Sequence, residues 1–530
     1  MIAARFKSAF AILSIAMIAM VGCRAPAKPP LREVSLPDLS RAAASVQSQL
    51  RERYTALTRA TTDPNASPNE LADAYGPMGM LFMAAEYRET AEACLLNAEE
   101  LAPDVVKWPY YLAHLYKAGG ENAKSVAAFE RVLRLESHHV NALVGLGEAF
   151  LDQGRPDEAQ PLFARAAGAD SQSVAALVGL GRTALARSDY AQAIEPLERA
   201  LAIDGRNAAI HYPLAMAYRG IGQQDKADAH LRLRRPGAIR PSDPLMLELD
   251  TILESPVAYE VRGAKALDAQ DFTTAATYFR KGIDLAPDDP ALHHKLGTAL
   301  YLSGDTRGAA DEFAKALRLA PGFAKAHYSL GVMFAADGRT ADALAHLDEA
   351  VRADPAYAEA RVRLGDVLRR SGRAAESLSW YAEASTLDPR AADAWLGSAL
   401  ALADLHRYRE ARERLRESVE QYPDRPEFIR ALVRLLTSAP DPAVRDGQEA
   451  LALMRGVLAR EPRGVEVGEL MAMTQAELGQ YGEAVTWQRE ALAAAERLSR
   501  PNLISHLTGM LARYERRQPC RTLALDVSSQ

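Results

Sequence analysis

The chain has 530 residues, of which 25% are charged and 48% are apolar, and these values are typical of a globular protein. Its net charge of −6 and its pI near 6.1 argue against a nucleic-acid-binding protein, since such proteins carry a clustered basic surface and usually a high pI. A chain of this length could form several ordinary domains or one long repeat array. Aromatic residues make up only 7%, while Ala and Leu are abundant throughout, and this composition favours closely packed helices.

The N-terminal residues predict export. Residues 1–7 are short and basic, and residues 9–22 form a nearly unbroken apolar run. That run is too short to span a bilayer, which needs roughly 20 apolar residues, but it fits the hydrophobic region of a secretory signal.

The end of this run resembles the lipobox of bacterial lipoproteins. Small residues precede Cys23, and the resemblance implies that residues 1–22 are a lipoprotein signal peptide and that the Cys23 thiol carries the lipid. An ordinary signal peptide, or an uncleaved anchor with a chance cysteine, is the alternative. Arg24 rather than Asp follows the cysteine, which by the same resemblance favours an outer-membrane lipoprotein facing the periplasm over an inner-membrane one.

The segment after Cys23 predicts a tether followed by a cap. Residues 23–36 contain Pro26, Pro29 and Pro30 and predict a Pro-rich extended tether, and residues 37–71 predict an N-terminal capping helix region. The other two cysteines, Cys94 and Cys520, lie at opposite ends of the following array, so we expect no disulfide between them.

Three columns of residues reveal an internal repeat of 34 residues. Prolines of one column are Pro287, Pro321, Pro355, Pro389 and Pro423. Small residues of a second column are Gly79, Ala113, Gly147, Gly181, Ala215, Gly263, Gly297, Gly331, Gly365 and Ala399. A third column consists mostly of alanine, at Ala91, Ala159, Ala193, Ala227, Ala275, Ala309, Ala343 and Ala411. Each column that crosses the middle of the chain is interrupted there by the same 14-residue insertion, so the columns mark one array.

These columns resemble the tetratricopeptide-repeat (TPR) family. The unit from Pro290 shows the family pattern in Leu296, Gly297, Leu300, Ala309, Phe313, Ala316 and Pro321. The resemblance implies an all-α TPR superhelical solenoid of about ten regular and two degenerate repeats. Turns between the two helices of a unit are predicted at Gly304-Asp305, Gly338-Arg339 and Gly372-Arg373.

The repeat columns predict the division of the array. Its parts are a first TPR block of five repeats at 72–235, an insertion or hinge at 236–255, a second block of five repeats at 256–425, degenerate repeats at 426–496, and a C-terminal capping helix and tail at 497–530. The insertion is either a surface insertion with one short helix or a hinge or second docking point.

The sequence gives no sign of catalytic chemistry. It lacks a Gly-rich phosphate loop, a nucleophile elbow, a zinc-protease motif and a Cys-x-x-Cys pair. The adjacent histidines at 138–139 and 293–294 point about 100° apart on a helix, so neither pair could chelate one metal ion. We therefore predict that the protein is not an enzyme and needs neither a cofactor nor a metal.

The family resemblance implies that a concave groove, lined by the first helix of each unit, binds protein partners. Carried onto this chain, the groove positions include Tyr110, His114, Lys117, Tyr212, Met216, Arg219, His294, Tyr301, Lys325, Tyr328, Asp366 and Arg369. The Lys and Asn residues that form the family's carboxylate clamp are absent here. The Asn ladder with which some members of the family bind a peptide backbone is absent as well.

The function predicted from these features is a non-catalytic scaffold or adaptor, lipid-anchored in the cell envelope, that organises an envelope assembly. Its partners are other proteins, with membrane contact only through the N-terminal lipid and with no nucleic acid. The alternative is a polysaccharide-binding or export-associated TPR subunit, since groove tyrosines could stack on sugar rings. An enzyme with an unrecognised site is the third hypothesis.

Overall fold

A computed structural model of the chain describes residues 31–205, 207–234, 243–459, 464–498 and 501–521. Within these ranges the regular structure is helical, and no strand occurs. The all-α repeat fold predicted from the sequence is confirmed. The predicted signal peptide, Cys23 and most of the predicted tether lie outside the described residues. None of the helices in the described ranges has the length and apolar character that a membrane span requires.

The chain divides into two compact units between Ala258 and Tyr259. The helices of unit 1 are α1 (Ala44–Thr62), α2 (Pro68–Ala84), α3 (Arg88–Leu101), α4 (Lys107–Ala118), α5 (Asn122–Leu135), α6 (Val140–Asp152), α7 (Pro156–Ala169), α8 (Val174–Ala186), α9 (Tyr190–Ile203), α10 (His211–Gly220), α11 (Gln224–Leu233) and α12 (Pro244–Ile252). A short 3-10 helix, Ala208–Ile210, leads into α10.

Unit 2 begins in the first turn of α13. Its helices are α13 (Pro256–Asp268), α14 (Phe272–Leu285), α15 (Pro290–Leu302), α16 (Thr306–Leu319), α17 (Ala324–Ala336), α18 (Thr340–Ala353), α19 (Ala358–Arg370), α20 (Ala374–Leu387), α21 (Ala392–Asp404), α22 (Tyr408–Gln421), α23 (Pro426–Ser438), α24 (Gly447–Leu458), α25 (Val465–Glu477), α26 (Tyr481–Arg497) and α27 (Pro501–Glu515).

Successive helices pair into hairpins, each with a first helix (A helix) and a second helix (B helix). In unit 1 the hairpins run from α2/α3 to α10/α11, and in unit 2 from α13/α14 to α25/α26. A helices of neighbouring hairpins contact one another, for example α6 with α8 in unit 1 and α17 with α19 in unit 2. The side chains of the A helices therefore form a continuous surface in each unit, which we call the A face.

The small-residue column lets the two helices of a hairpin approach closely. A Cβ on Gly297 would lie 2.6 Å from the Phe313 ring, and a Cβ on Gly365 would lie 2.8 Å from the Tyr381 ring. Both rings are fully or nearly fully buried. The large B-helix residue thus fills the space that the glycine leaves open, which explains why the repeat has a small residue at this position.

Turn geometry and proline fix the helix ends. Gly304, Gly338 and Gly372, at the predicted turns, have φ values of 93°, 72° and 81°, which glycine adopts at little cost. The B helices α14, α16, α18, α20 and α22 each end two residues before a proline of the 34-residue column. Because proline lacks an N–H and cannot continue a helix, each B helix stops at the same repeat position.

The N-terminal segment packs on the first hairpin. Helix α1 contacts α2 and buries Val46, Leu50 and Leu57. Before it, the buried Asn97 side chain accepts from the Arg32 backbone N–H at 2.8 Å and donates to the Arg32 carbonyl at 2.9 Å. A buried amide side chain needs hydrogen-bond partners, and the Arg32 backbone supplies both of them. Residues 31–36, which the sequence assigned to the tether, are therefore docked on the repeat.

The C-terminal segment of the chain covers the last A helices of unit 2. Helix α27 packs against α26, and His506 on α27 lies 2.8 Å from Glu469 of α25. Glu469 also accepts from Arg434 of α23 at 2.9 Å. Further on, Arg521 donates to Glu477 at 2.6 Å. The chain after α26 thus folds back over α23 and α25.

Candidate functional site

The A face of unit 1 is covered at α2 and α4 by another helix of the same unit. Helix α12, which lies within the predicted insertion, packs against α2. Its Leu249 is 7% exposed and belongs to the core cluster that contains Tyr110 and Tyr111. Tyr110, predicted from its repeat position to line an open groove, is 0% exposed. Its position on the A face is as predicted, but the insertion already occupies the space in front of it.

Polar contacts attach α12 to the two tyrosines of α4. The Tyr110 hydroxyl donates to the Asp243 carboxylate, whose other oxygen caps α12 by accepting from the Met246 N–H at 3.0 Å. The Tyr111 hydroxyl lies 3.0 Å from the Leu245 carbonyl oxygen and 3.2 Å from the Glu248 carboxylate. Burial, together with these carboxylates, raises the pKa of both tyrosines, so the hydroxyls remain protonated donors.

The other two predicted groove residues of α4 are also engaged by neighbours. The His114 ring packs 4.7 Å from Tyr110 and 5.4 Å from Phe129. Burial lowers the pKa of His114 to about 4, so its imidazole is neutral near pH 7. Lys117 forms an ion pair with Glu148 on α6. His114 therefore packs within the second hairpin, and Lys117 connects that hairpin to the third.

The A face of unit 1 is open further along, at α10. Tyr212 is 50% exposed and Met216 is 36% exposed, and Arg219 is exposed beside them. Tyr212 and Met216 lie one helical turn apart, so an aromatic and a flexible apolar side chain share one patch. Such side chains are typical anchors of protein interfaces.

The A face of unit 2 contains a cavity of about 480 Å³ between α17 and α19. Its lining combines apolar and charged side chains, namely Tyr328, Val332, Ala335, Ala336, Thr340, Leu347, Arg363, Asp366, Val367 and Arg370. Two predicted groove residues, Tyr328 and Asp366, are thereby brought together. The Tyr328 ring also lies 5.2 Å from the Tyr357 ring, which supports it from one side.

The charged groups of this cavity are held by hydrogen bonds. Asp366 accepts from Arg363 at 3.1 Å and from the buried Tyr381 hydroxyl at 2.8 Å. Arg369, a further predicted groove residue, donates to Asp404 of α21 at 3.1 Å. A carboxylate fixed in this way is preorganised, so its side chain loses little entropy when a ligand group binds to it.

The remaining predicted residues of unit 2 have three different environments. His294 packs 5.5 Å from the Phe323 ring, and its Nε2 lies 3.0 Å from the Ser329 hydroxyl. Burial lowers the pKa of His294 to about 4, with Lys325 adding to the effect. Tyr301 is half-buried and Lys325 is exposed. Their roles in binding remain predictions.

The described residues offer no cluster suited to a metal. No group of three or more His, Cys, Asp or Glu side chains in those ranges is arranged to hold an ion. Cys94 and Cys520 are both buried, and burial raises the pKa of Cys94 to about 12. A thiol with that pKa is an unreactive packing group.

Two features of these surfaces escaped the sequence reasoning. Arg363 lines the cavity from the sixth position of its repeat, which is not among the groove positions carried over from the family. The docking of α12 was also missed. Its signal was present in residues 243–254, where leucines at 245, 249 and 253 recur every four residues among four acidic side chains.

Stacked helical hairpins whose A helices expose a shared surface define a repeat protein of the binding-scaffold class. Profiles of the tetratricopeptide repeat match residues 110–174, 144–210, 261–322, 294–358 and 328–392, and a second tetratricopeptide-repeat profile matches residues 368–435. Together these spans cover more than half of the chain. The chain belongs to the tetratricopeptide-repeat family, whose members are generally non-catalytic scaffolds that bind protein partners.

Similar proteins include subunit 3 of the anaphase-promoting complex from Schizosaccharomyces pombe, which is 28% identical over 159 residues. The match covers 29% of this chain and 24% of that protein, so the chain spans about a quarter of the length of this curated relative.

Solved structures that are similar to this chain include the following three. A tetratricopeptide repeat protein from Parabacteroides merdae is 16% identical, with 48% of this chain and 99% of that chain covered and a TM-score of 0.31. Yeast Tom70 is 14% identical, with 84% and 95% covered and a TM-score of 0.29. A crystal structure of MamA is 21% identical, with 42% and 94% covered and a TM-score of 0.22.

Proposed function

We propose that this TPR protein is a lipid-anchored adaptor of the cell envelope that binds a protein segment on the A face of unit 2. The observation that carries the binding site is the cavity between α17 and α19, with apolar walls, the aromatic ring of Tyr328 and the fixed carboxylate of Asp366. A cavity of about 480 Å³ accommodates one or two large side chains of a partner, which then act as anchors.

Specificity in this site would come from charge. Asp366 and Arg370 line the same cavity, so a partner must present apolar side chains together with both a donor and an acceptor. Polysaccharide stacking, the alternative function, needs open aromatic faces. Tyr328 packs on Tyr357 at a ring distance of 5.2 Å, so one of its faces is already in use. A protein segment therefore fits this surface better.

The binding proposal is tested by affinity capture from solubilised envelopes with full-length protein. Tyr328→Ala and Asp366→Ala should each remove the partners that the wild type retains. Tyr278→Ala is the matched control, because Tyr278 is a half-buried tyrosine on the B helix α14 of the same unit. If the Tyr328 variant captured the same proteins as the wild type, binding at this cavity would be ruled out.

The lipid anchor rests on the N-terminal sequence. The basic residues 1–7, the apolar residues 9–22 and Cys23 follow the order of a lipoprotein signal. We expect Cys23→Ser to move the protein from the membrane fraction to the soluble fraction and to remove the lipid mass from its N-terminal peptide. Cys94→Ala is the control and should stay membrane-bound. Unchanged membrane association of the Cys23 variant would contradict the proposal.

The outer membrane is the proposed location, with the repeats facing the periplasm. Arg24 after the lipidated cysteine supports it. Separation of inner and outer membranes on a density gradient tests this, and Arg24→Asp should shift the protein toward the inner-membrane fraction. If the wild type already sediments with the inner membrane, the adaptor acts there instead.

A further inference from the structure

Helix α12 has the features of a bound ligand more than those of a repeat helix. Among the described residues it forms no hairpin with a B helix, and it lies on the A face at α2 and α4. With nine residues, it is too short to be a stable helix without the surface beneath it. We infer that the A face at α2 and α4 is a docking site for a short, acidic, amphipathic helix, which α12 occupies until a partner helix of the same pattern replaces it.

The apolar contacts define the first part of that pattern. Leu249 is 7% exposed, and Leu245, Met246, Ile252 and Leu253 are half-buried against the same core cluster. These positions form the i, i+4, i+7, i+8 stripe by which a helix lies in a groove. On the opposite side of α12, Leu247 is 63% exposed.

The charges define the second part. Residues 243–254 contain four acids and no base. Asp243 accepts from the Tyr110 hydroxyl at the start of the helix, and Glu248 lies 4.0 Å from the Lys107 ammonium. The docking site therefore supplies donors, and a competing helix needs an acid at its N-cap and another five residues later.

The packing of α12 leaves room for exchange. Between α1, α2 and the last turn of α12 there is a cavity of about 270 Å³, lined in part by Gln49, Arg53, Leu81 and Ile252. Beyond the helix, the Glu254 N–H donates to the Gln49 side chain at 3.0 Å. Because this space beside its last turn is unfilled, we expect that α12 can leave without opening the hairpins below it.

The covalent link explains why α12 occupies the site at rest. Residues 234–243 connect it to α11 and residues 253–255 connect it to α13, so its local concentration at the site is high. A partner helix must therefore bind more tightly than α12 alone would. While α12 occupies the site, only a fraction of the protein can bind a helix added in trans, and the apparent affinity is reduced by that fraction. Releasing α12 should restore the full affinity.

The test uses a fluorescein-labelled peptide of residues 243–255 and full-length protein, with binding followed by fluorescence anisotropy. In the release variant, Leu245→Asp and Leu249→Asp are combined, which disrupts α12 and leaves the α2 and α4 surface intact. We expect the peptide to bind this variant at least tenfold more tightly than the wild type. Leu247→Asp is the matched control, because Leu247 faces away from the site, and it should behave as the wild type.

Two further variants check that the peptide binds where α12 lay. Tyr110→Phe in the release background removes the hydroxyl that Asp243 accepts from, so the affinity should fall about tenfold. A peptide with Leu249→Asp should not bind. Equal affinity of the wild-type peptide for the release variant and the wild-type protein would overturn the inference.

Hydrogen exchange on the wild-type protein provides a readout that does not depend on mutation. The amides of α12 should exchange faster than those of α2 and α4, since α12 is inferred to detach locally. Exchange of all three helices together, or loss of the hairpins in the release variant by circular dichroism, would make α12 an integral part of the core and overturn the inference. If the wild type were a dimer and the release variant a monomer, the inference would also be overturned. The helix in the docking site would then be α12 of a second copy of the chain.

This inference rests on the proposal that the A faces bind protein segments, but it fails separately from it. The peptide assay concerns α2 and α4 of unit 1, whereas the capture experiment concerns Tyr328 and Asp366 of unit 2. If the peptide does not bind but capture depends on Tyr328 and Asp366 as expected, only the docking site for an acidic helix is refuted. If the peptide binds as expected but capture does not depend on those two residues, only the adaptor site of unit 2 is refuted.

Discussion

Alanine at position 297 tests whether the close approach of α15 and α16 determines how a hairpin packs. A Cβ on Gly297 would lie 2.6 Å from Phe313 Cε1 and 2.7 Å from Cδ1, and contacts under 3.0 Å require something to move. Phe313 is only 2% exposed, and it packs within a cluster that includes Ala309 and Leu330. The ring therefore cannot turn out into solvent, and the two helices must separate.

The magnitude follows from two opposing effects. Overpacking of a filled core costs about 1–3 kcal/mol, while replacing a helical glycine by alanine gains up to about 1 kcal/mol in helix propensity. We expect Gly297→Ala to lower the free energy of unfolding by about 1 kcal/mol. Gly456 in α24 is the matched control, since a Cβ there meets no atom within 4 Å, and the same substitution should stabilise by up to about 1 kcal/mol.

Urea unfolding followed by circular dichroism at 222 nm measures both variants, which lie in the same unit. Phe313→Leu, which leaves space at the ring, should partly rescue Gly297→Ala, and a double-mutant cycle gives the coupling between the two positions. If Gly297→Ala were as stabilising as Gly456→Ala, the reasoning about close helix approach would be refuted. Additive effects of Gly297→Ala and Phe313→Leu would refute it as well.

Three further predictions concern turns, the N-terminal segment and pH. Gln270 has φ 61° at the turn position where seven other hairpins of the described chain have glycine, so Gln270→Gly should stabilise by about 1 kcal/mol and raise the urea midpoint, and a lower midpoint would contradict this. Asn97→Leu removes both hydrogen bonds to Arg32, so hydrogen exchange at residues 31–38 should accelerate while α2 and α3 stay protected. For His114 and His294 the folded pKa is lowered to about 4, below the unfolded value of 6.5. The unfolded chain therefore takes up protons first, and stability should be full above pH 6.5 and fall by up to about 1.4 kcal/mol per pH unit and histidine toward pH 4. Urea midpoints across this range measure it, and His294→Gln should reduce the slope.

The fold could be predicted from sequence because the repeat encodes it locally. Each glycine of the small-residue column lies on the same helix face as its counterparts in neighbouring units, and a large residue follows sixteen positions later to fill the gap, as Phe313 does for Gly297. The prolines set the helix ends in the same way. Such rules act within one hairpin and its neighbour, so they can be read from spacing alone.

The candidate site could be predicted only in part, because exposure depends on residues distant in sequence. Repeat position correctly predicts that Tyr110 and Tyr212 lie on A helices. One is 0% exposed and the other 50% exposed, since α12, which begins 134 residues after Tyr110, covers only the first. The sequence around either tyrosine does not predict this difference in exposure. It arises from the insertion, whose leucine spacing and acidic residues were readable but whose docking position was not.

The same comparison indicates where a partner should bind first. At α2 and α4 a ligand must displace a resident helix, whereas at α17 and α19 the cavity is open and its carboxylate, Asp366, is already held by Arg363 and Tyr381. Binding at the open cavity therefore has to overcome only the ordering of the partner, while binding at α2 and α4 also has to overcome the local concentration of α12. A partner that carries an acidic helix should bind at α2 and α4, and its binding there would depend on α12. Capture by the release variant, compared with the wild type, should increase for such a partner and stay unchanged for a partner that uses the cavity alone.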